Sequence, residues 1–189
     1  QSGKLRVADL EAGQQSVEDL SVVVASVFQN PANQFFHKIV KHELVFPSEN
    51  QGKPIQQILA QLSRLTQDFA LEGYLERDLF SLSGGEKQRI SIARALIRET
   101  DILIADEILS NLDNETALKI EKELLNLNGI TLIAVTHRLF EETLKDFDEI
   151  IVINEGSIVE TGTFKDLIDL KGLFYKIYNL SENSKIPSK

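Results

Sequence analysis

Leu82-Ser83-Gly84-Gly85-Glu86 is the stretch that decides the fold class of this chain. Ser83 and Glu86 have the S-x-x-E spacing of a capping box, in which hydroxyl and carboxylate each accept a free backbone N–H, so a helix is predicted to begin here. Gly84 and Gly85 leave the first amides of that helix uncovered, and the helix dipole favours an anion at this end. The segment therefore predicts a phosphate-binding helix start, although a capping box alone is also a common structural device.

A second segment places two carboxylates behind a predicted strand. The apolar run Ile102 to Ala105 precedes Asp106 and Glu107. Such a run is typical of a buried parallel strand, and ligand chemistry in open α/β sheets gathers at the carboxyl ends of such strands. One carboxylate there can hold magnesium while the other orients or deprotonates a water. A solvated acidic loop is the plain alternative, but the two segments together favour nucleotide hydrolysis.

Three further polar residues follow or cap predicted elements. Gln29 follows the apolar run Val22 to Phe28, and its amide oxygen can ligate magnesium or hold a water. His137 follows the apolar run Ile130 to Val135 and can hydrogen-bond a phosphate. Asp113 can cap the helix after it. Each has a plain structural alternative, respectively a loop glutamine, a satisfied histidine and a helix cap.

The motifs and their order resemble the ATP-binding cassette (ABC) ATPases over nearly the whole chain. Five segments carry the resemblance: Val27 to Pro31 (Q-loop), Leu82 to Arg89 (signature), Asp106-Glu107 (Walker B with its catalytic glutamate), Ser110-Asn111-Leu112-Asp113 (D-loop) and Thr136-His137-Arg138 (switch-histidine loop). The resemblance implies an α/β, P-loop NTPase-like core with a helical subdomain. It also implies that ATP and Mg²⁺ are bound and that ATP hydrolysis powers membrane transport.

The resemblance further implies a role for each matched residue. Glu107 and His137 would be catalytic, the first polarising the attacking water and the second contacting the γ-phosphate. Gln29 and Asp106 would serve magnesium. The residues expected to bind ATP are Ser83, Gly84, Gly85, Glu86, Gln29 and Asp113. The signature of one protomer would complete the ATP site of a second cassette facing head to tail, and the helical lobe would meet a transmembrane partner at the cytoplasmic face of the membrane.

The sequence departs from the family pattern in two places. It contains no G-x-x-x-x-G-K-S/T phosphate loop, because Gly3-Lys4 is followed by Leu5 and Gly52-Lys53 by Pro54. Residues 2–7 resemble the turn and strand after the Walker A helix, so we expect that the N-terminal part of the cassette is missing, through a fragment boundary, an omission or a natural loss. We therefore expect no ATPase activity from this chain alone. Ile108-Leu109 also replaces the proline or alanine and threonine usual after the glutamate.

Composition excludes several other classes. The net charge of −9 argues against nucleic acid as a partner, since such affinity is built from lysine and arginine. The absence of cysteine excludes disulfides and thiolate metal sites, and the three histidines lack zinc spacing. The longest apolar runs fall far short of the ~20 residues of a membrane-spanning helix.

One domain is expected over residues 1–189. We predict a Q-loop and helical lobe over about residues 30–100, an α/β core over about 101–180 and a frayed tail over 181–189. The stretch Pro47 to Gly52 is predicted to break the chain before a helix, and Thr163 with Asp166 to cap a closing helix.

The branch of the family stays open. Thr136 to Leu139, Asp148 to Val152 and Glu160 to Thr163 resemble exporters, which we favour, whereas Gln29 to Phe36 resembles the ATPases of energy-coupling-factor importers. A catalytically dead regulatory cassette is another alternative. A soluble ABC protein of DNA repair or translation would predict basic patches or long coiled-coil insertions, and neither occurs in the sequence.

Overall fold

The computed structural model describes residues 4–184, and the first elements in this range are a small hairpin and a short helix. β1 (Arg6–Val7) pairs antiparallel with β2 (Leu10–Glu11). α1 (Val17–Val23) follows, and its N-cap Ser16 forms a capping box with Asp19. This helix runs directly into the first strand of the main sheet.

Three parallel strands form the main sheet, in the order β3 (Val24–Val27), β4 (Ile102–Asp106) and β5 (Thr131–Val135). β4 lies in the middle and pairs with both neighbours. Because parallel neighbours need long crossover connections, helices join these strands. The carboxyl ends of all three strands lie along one edge of the sheet, so the residues that follow them come together there.

A helical part lies between β3 and β4. It contains α2 (Val40–Asn50), α3 (Ile55–Asp68) and α4 (Gly84–Leu96). α3 buries the apolar residues that recur at helical spacing in the sequence: Ile58, Leu62 and Leu65. α5 (Asn114–Leu125) then crosses from β4 to β5.

The C-terminal part forms a second, smaller layer. α6 (Glu141–Leu144) precedes the antiparallel pair β6 (Ile150–Asn154) and β7 (Ser157–Gly162). α7 (Phe164–Leu170) and α8 (Leu173–Ser184) follow. The capping box predicted for Thr163 and Asp166 is present at the start of α7.

Two clusters of buried side chains hold these parts together. The first joins the sheet to α2, α3, α4 and α5 through residues such as Leu44, Ile58, Ile90, Leu103 and Ala117. The second packs α6, β6, α7 and α8 through Leu144, Val152, Leu167, Phe174 and Tyr178. Within residues 4–184, no helix combines the length and the apolar composition that crossing a bilayer requires.

The strand predicted over Val22 to Phe28 is shorter than the apolar run. Val22 and Val23 end α1, and only Val24–Val27 pair with β4. The capping box at Ser16 starts a helix that continues into the run, and the Val22 side chain is left 59% exposed. An apolar run alone does not distinguish a helix end from a strand.

The break predicted over Pro47 to Gly52 is confirmed only at its end. Pro47 itself lies inside α2, and the chain turns at Gln51 and Gly52 before α3. Proline within a helix removes one hydrogen bond and costs about 3 kcal/mol. The helix is held on both sides of the proline: Leu44 and Val45 are buried before it, and Ser48 after it is buried with its hydroxyl donating to the Ile97 carbonyl at 3.0 Å. Tertiary packing thus outweighs the local preference.

The predicted frayed tail begins as helix. α8 runs to Ser184, so residues 181–184 continue the helix whose Tyr178 packs in the second cluster. The rest of that prediction, residues 185–189, and the predicted turn at Ser2 and Gly3 lie outside the described residues.

Candidate functional site

Three predicted site residues meet at the carboxyl edge of the sheet. The Gln29 amide Nε2 donates to Glu107 Oε2 at 2.7 Å, and His137 Nδ1 lies 3.6 Å from Glu107 Oε1. Gln29 follows β3, Glu107 follows β4 directly and His137 follows β5. The side chains of His137 and Glu107 are 63% and 34% exposed, so a solute can reach both.

The backbone at Glu107 is held in an uncommon conformation. Its φ is +49°, in the left-handed region that costs a residue with a Cβ about 1 kcal/mol or more. Two backbone hydrogen bonds fix it: the Glu107 N–H donates to Val135 O at 2.9 Å, and the Ser110 N–H donates to Glu107 O at 3.1 Å. Asp106 is still part of β4, opposite Val135, so the turn separates two adjacent carboxylates.

The signature segment forms the helix start that its spacing predicts. The Ser83 hydroxyl accepts the Glu86 N–H at 3.3 Å, and the Ser83 N–H donates to Glu86 Oε2 at 2.7 Å. This second bond, together with the Ser83 hydroxyl, lowers the pKa of Glu86. The Glu86 carboxylate therefore caps its own helix, and Ser83 and Gly84 are the exposed residues of this turn.

The signature packs against the D-loop, Ser110 to Asp113. A Cβ on Gly85 would lie 3.2 Å from Leu112 Cδ2, whereas one on Gly84 would meet nothing within 4 Å. Asn111 Nδ2 donates to the Gln29 carbonyl at 3.0 Å. Contacts thus run from the signature through the D-loop to Gln29, which itself bonds to Glu107, so the D-loop joins the signature to the carboxyl edge within one chain.

Asp113 closes the D-loop as a helix cap. Its Oδ1 accepts the Thr116 N–H at 2.9 Å, and that hydrogen bond lowers the pKa of Asp113. The structure therefore shows Asp113 acting as the N-cap of α5.

Sequence reasoning missed two polar clusters that hold the site loops. Fully buried Glu43 of α2 accepts Arg94 Nη1 of α4 at 2.6 Å and the His37 N–H at 2.8 Å, so it ties the chain after Gln29 to the signature helix. The second cluster is centred on Arg138, which bonds to the D-loop. These contacts have no signal in the sequence, because Glu43 lies far from Arg94, and Arg138 lies far from the D-loop residues that accept its hydrogen bonds.

The donors at this edge fit Mg²⁺ only together with phosphate. Among residues 4–184, no group of three or more histidine, cysteine or acidic side chains is arranged to hold a metal. The Gln29 Nε2 is used by Glu107, which leaves its amide oxygen for a cation, and Asp106 offers a carboxylate at the end of β4. Mg²⁺ is typically bound by one or two such oxygens plus substrate phosphates and waters.

The sheet, its helices and the loops at the carboxyl edge define a P-loop NTPase-like α/β domain. Residues 1–110 match the family described as ABC transporter, which is more than half of the 189 residues, so this chain belongs to the ABC transporter family. The predicted family and fold class are confirmed.

Relatives and a solved structure agree. A putative ABC transporter ATP-binding protein of Treponema denticola is 34% identical over 172 residues, 89% of this chain and 35% of that protein. The energy-coupling factor transporter ATP-binding protein EcfA1 of Lactobacillus acidophilus is 35% identical over 161 residues, 84% of this chain and 56% of that protein. CbiO1 of Clostridium perfringens, described as part of the ABC transporter complex CbiONQ, superposes with a TM-score of 0.76 at 25% identity, over 98% of this chain and 77% of its own. The chain thus spans about a third to somewhat over half of these two relatives' lengths.

Proposed function

We propose that this chain supplies most of a nucleotide-binding domain that hydrolyses MgATP as a head-to-tail dimer and drives membrane transport from the cytoplasmic face. The observation that carries the proposal is the meeting of Gln29 and His137 at Glu107. A carboxylate held between an amide and an imidazole, and still open to solvent, suits a group that must receive a water and a phosphate.

In this mechanism Glu107 polarises the attacking water and accepts its proton. Gln29 orients the carboxylate through the 2.7 Å hydrogen bond, and His137, 3.6 Å from Glu107, would contact the departing γ-phosphate. Asp106 and the Gln29 amide oxygen would hold Mg²⁺. When bound, Mg²⁺ neutralises the charge that develops on the transferred phosphoryl group.

The signature would act on ATP held by the facing protomer. The uncovered amides of Gly84 and Gly85, next to the Ser83 hydroxyl, form a helix start that favours an anion. Its contact with the D-loop supports a shared interface surface, on which Asp113 would lie close to both nucleotides. A monomer would hold only half of each site.

The phosphate cradle itself would come from polypeptide other than these 189 residues, since their sequence has no phosphate loop. One face of β5 supports a contribution from further polypeptide. Ile133 and Val135 lie on this face and are 49% and 52% exposed. Parallel strands are normally buried on both faces, so further polypeptide is expected to cover this side.

A specific observation supports a second branch of the family as a candidate. The relatives named above include an energy-coupling factor ATPase, and the segment Gln29 to Phe36 carries the corresponding resemblance. We therefore propose the energy-coupling-factor type, acting with a separate membrane partner, as a second candidate beside the exporter type favoured by the sequence. Co-purification with a separate membrane subunit would favour the former, and a fused membrane segment the latter.

The test uses an extended chain, in which a segment that carries a G-x-x-x-x-G-K-S/T loop is added at the N-terminus. We expect the extended chain to hydrolyse MgATP, and Glu107→Gln to abolish turnover while ATP still induces dimers. Glu155→Gln is the matched control, because Glu155 is exposed and has the same φ of +49°. Undiminished hydrolysis in Glu107→Gln would remove Glu107 from its role.

A further inference from the structure

Arg138 joins the switch-histidine loop to the D-loop through one guanidinium. Its Nη2 donates to Leu112 O at 2.8 Å and to Ser110 O at 3.0 Å, and its Nη1 donates to Asn114 Oδ1 at 3.3 Å. The three acceptors belong to the D-loop and to the first residue of α5. One side chain therefore fixes the path of the chain on both sides of Asp113.

The backbone that carries the guanidinium is also held on both sides. The Arg138 backbone N–H donates to Thr136 Oγ1 at 3.0 Å, and the next residue, Leu139, is buried in the second core cluster. His137 lies between these two anchors and faces Glu107. A displacement of His137 would therefore move Arg138, and Arg138 would move the D-loop.

The fork geometry of arginine is needed for this arrangement. A planar guanidinium presents several N–H donors in fixed directions, whereas a lysine ammonium is a compact charge on a flexible stem. Two backbone carbonyls and one side-chain amide oxygen match the fork and carry no formal charge. The interaction thus depends on direction more than on charge.

We propose that Arg138 is a positioning residue that sets the D-loop in register with the switch-histidine loop, so that the γ-phosphate contact and the surface facing a second protomer move together. This inference deepens the proposed function and rests on it for its catalytic part. The guanidinium hydrogen bonds of Arg138 go to Ser110, Leu112 and Asn114, so its action on catalysis passes through Ser110 to Asn114.

The first arm of the test needs no nucleotide. Amide hydrogen exchange of residues 109–114 is measured in the 189-residue protein for the wild type, Arg138→Gln, Arg138→Lys and the control Arg64→Gln, whose side chain is 72% exposed. We expect exchange in this segment to be about tenfold faster in Arg138→Gln and also clearly faster in Arg138→Lys, while exchange in α3 stays unchanged. Unchanged exchange in both variants, or a lysine variant like the wild type, would overturn the proposal.

The second arm measures catalysis in the extended chain. We expect Arg138→Gln to lower kcat at least about tenfold and to change the KM for ATP less than about threefold, because the residue positions a loop and does not bind the nucleotide. A rise in the KM for ATP with kcat unchanged would overturn the positioning role, and so would an unchanged kcat and KM. If the wild-type extended chain hydrolyses no ATP, the proposed function fails, and the exchange arm still decides whether Arg138 holds the D-loop.

Discussion

A matched pair of substitutions, Gly84→Ala and Gly85→Ala, examines the contact between the signature and the D-loop. Both glycines lie in the first turn of α4, where alanine is favoured over glycine by up to about 1 kcal/mol. A Cβ at position 84 meets no atom within 4 Å, so no steric cost opposes this gain. A Cβ at position 85 would lie 3.2 Å from Leu112 Cδ2, and an overfilled contact typically costs about 1–3 kcal/mol.

The expected result is a difference in the free energy of unfolding. Gly84→Ala should raise it by up to about 1 kcal/mol, which for a domain of this size is roughly 2–4 °C in Tm. Gly85→Ala should give no gain or a loss, so that the two variants differ by about 1 kcal/mol or more. Urea and thermal denaturation of the 189-residue protein measure this. Equal stabilisation by both substitutions would refute the packing of the signature on Leu112.

Two further predictions concern buried charges. Burial raises the pKa of Glu121 above its ordinary 4.5, so the protonated form stabilises the fold below that pH and this stability is lost as the pH rises through the raised pKa. Glu121→Gln keeps an acceptor for the Thr143 hydroxyl, which lies 2.6 Å from the carboxylate. In thermal denaturation this variant should be more stable than the wild type at pH 7.5, and the difference in stability should shrink towards pH 4.5. A difference in stability that does not depend on pH would contradict this. Arg94→Leu leaves Glu43 buried without its partner and should cost about 3–5 kcal/mol in urea denaturation. Glu43→Gln in the same chain should restore part of that loss, and no restoration would speak against an uncompensated charge.

Local chemistry explains what could be predicted from the sequence. The capping boxes at Ser83 and Thr163 and the cap at Asp113 each depend on residues three positions apart, so their spacing is visible in the chain. The strand ends at Gln29 and Glu107 could be predicted because apolar runs precede polar residues there. The parallel sheet then brings these ends together, as the order of elements implies.

Contacts between distant segments explain what could not be predicted. Pro47 stays helical although it lacks an N–H, and the bond from Ser48 to Ile97, the residue after α4, is one of the contacts that hold it there without a local signal. Arg138 follows a histidine in a recognisable motif, but its acceptors lie in a different loop. The left-handed backbone of Glu107 likewise depends on hydrogen bonds to Val135 and Ser110.

Mixing two inactive variants of the extended chain tests the central claim, that each ATP site combines Glu107 of one protomer with Ser83 of the other. Ser83→Arg and Glu107→Gln should each be inactive as homodimers. A mixed head-to-tail dimer has one site with both native residues and one with neither, so an equal mixture should recover about a quarter of wild-type hydrolysis if pairing is random and the sites act independently. Activity of the mixture no greater than that of the separate variants would contradict a site shared between protomers.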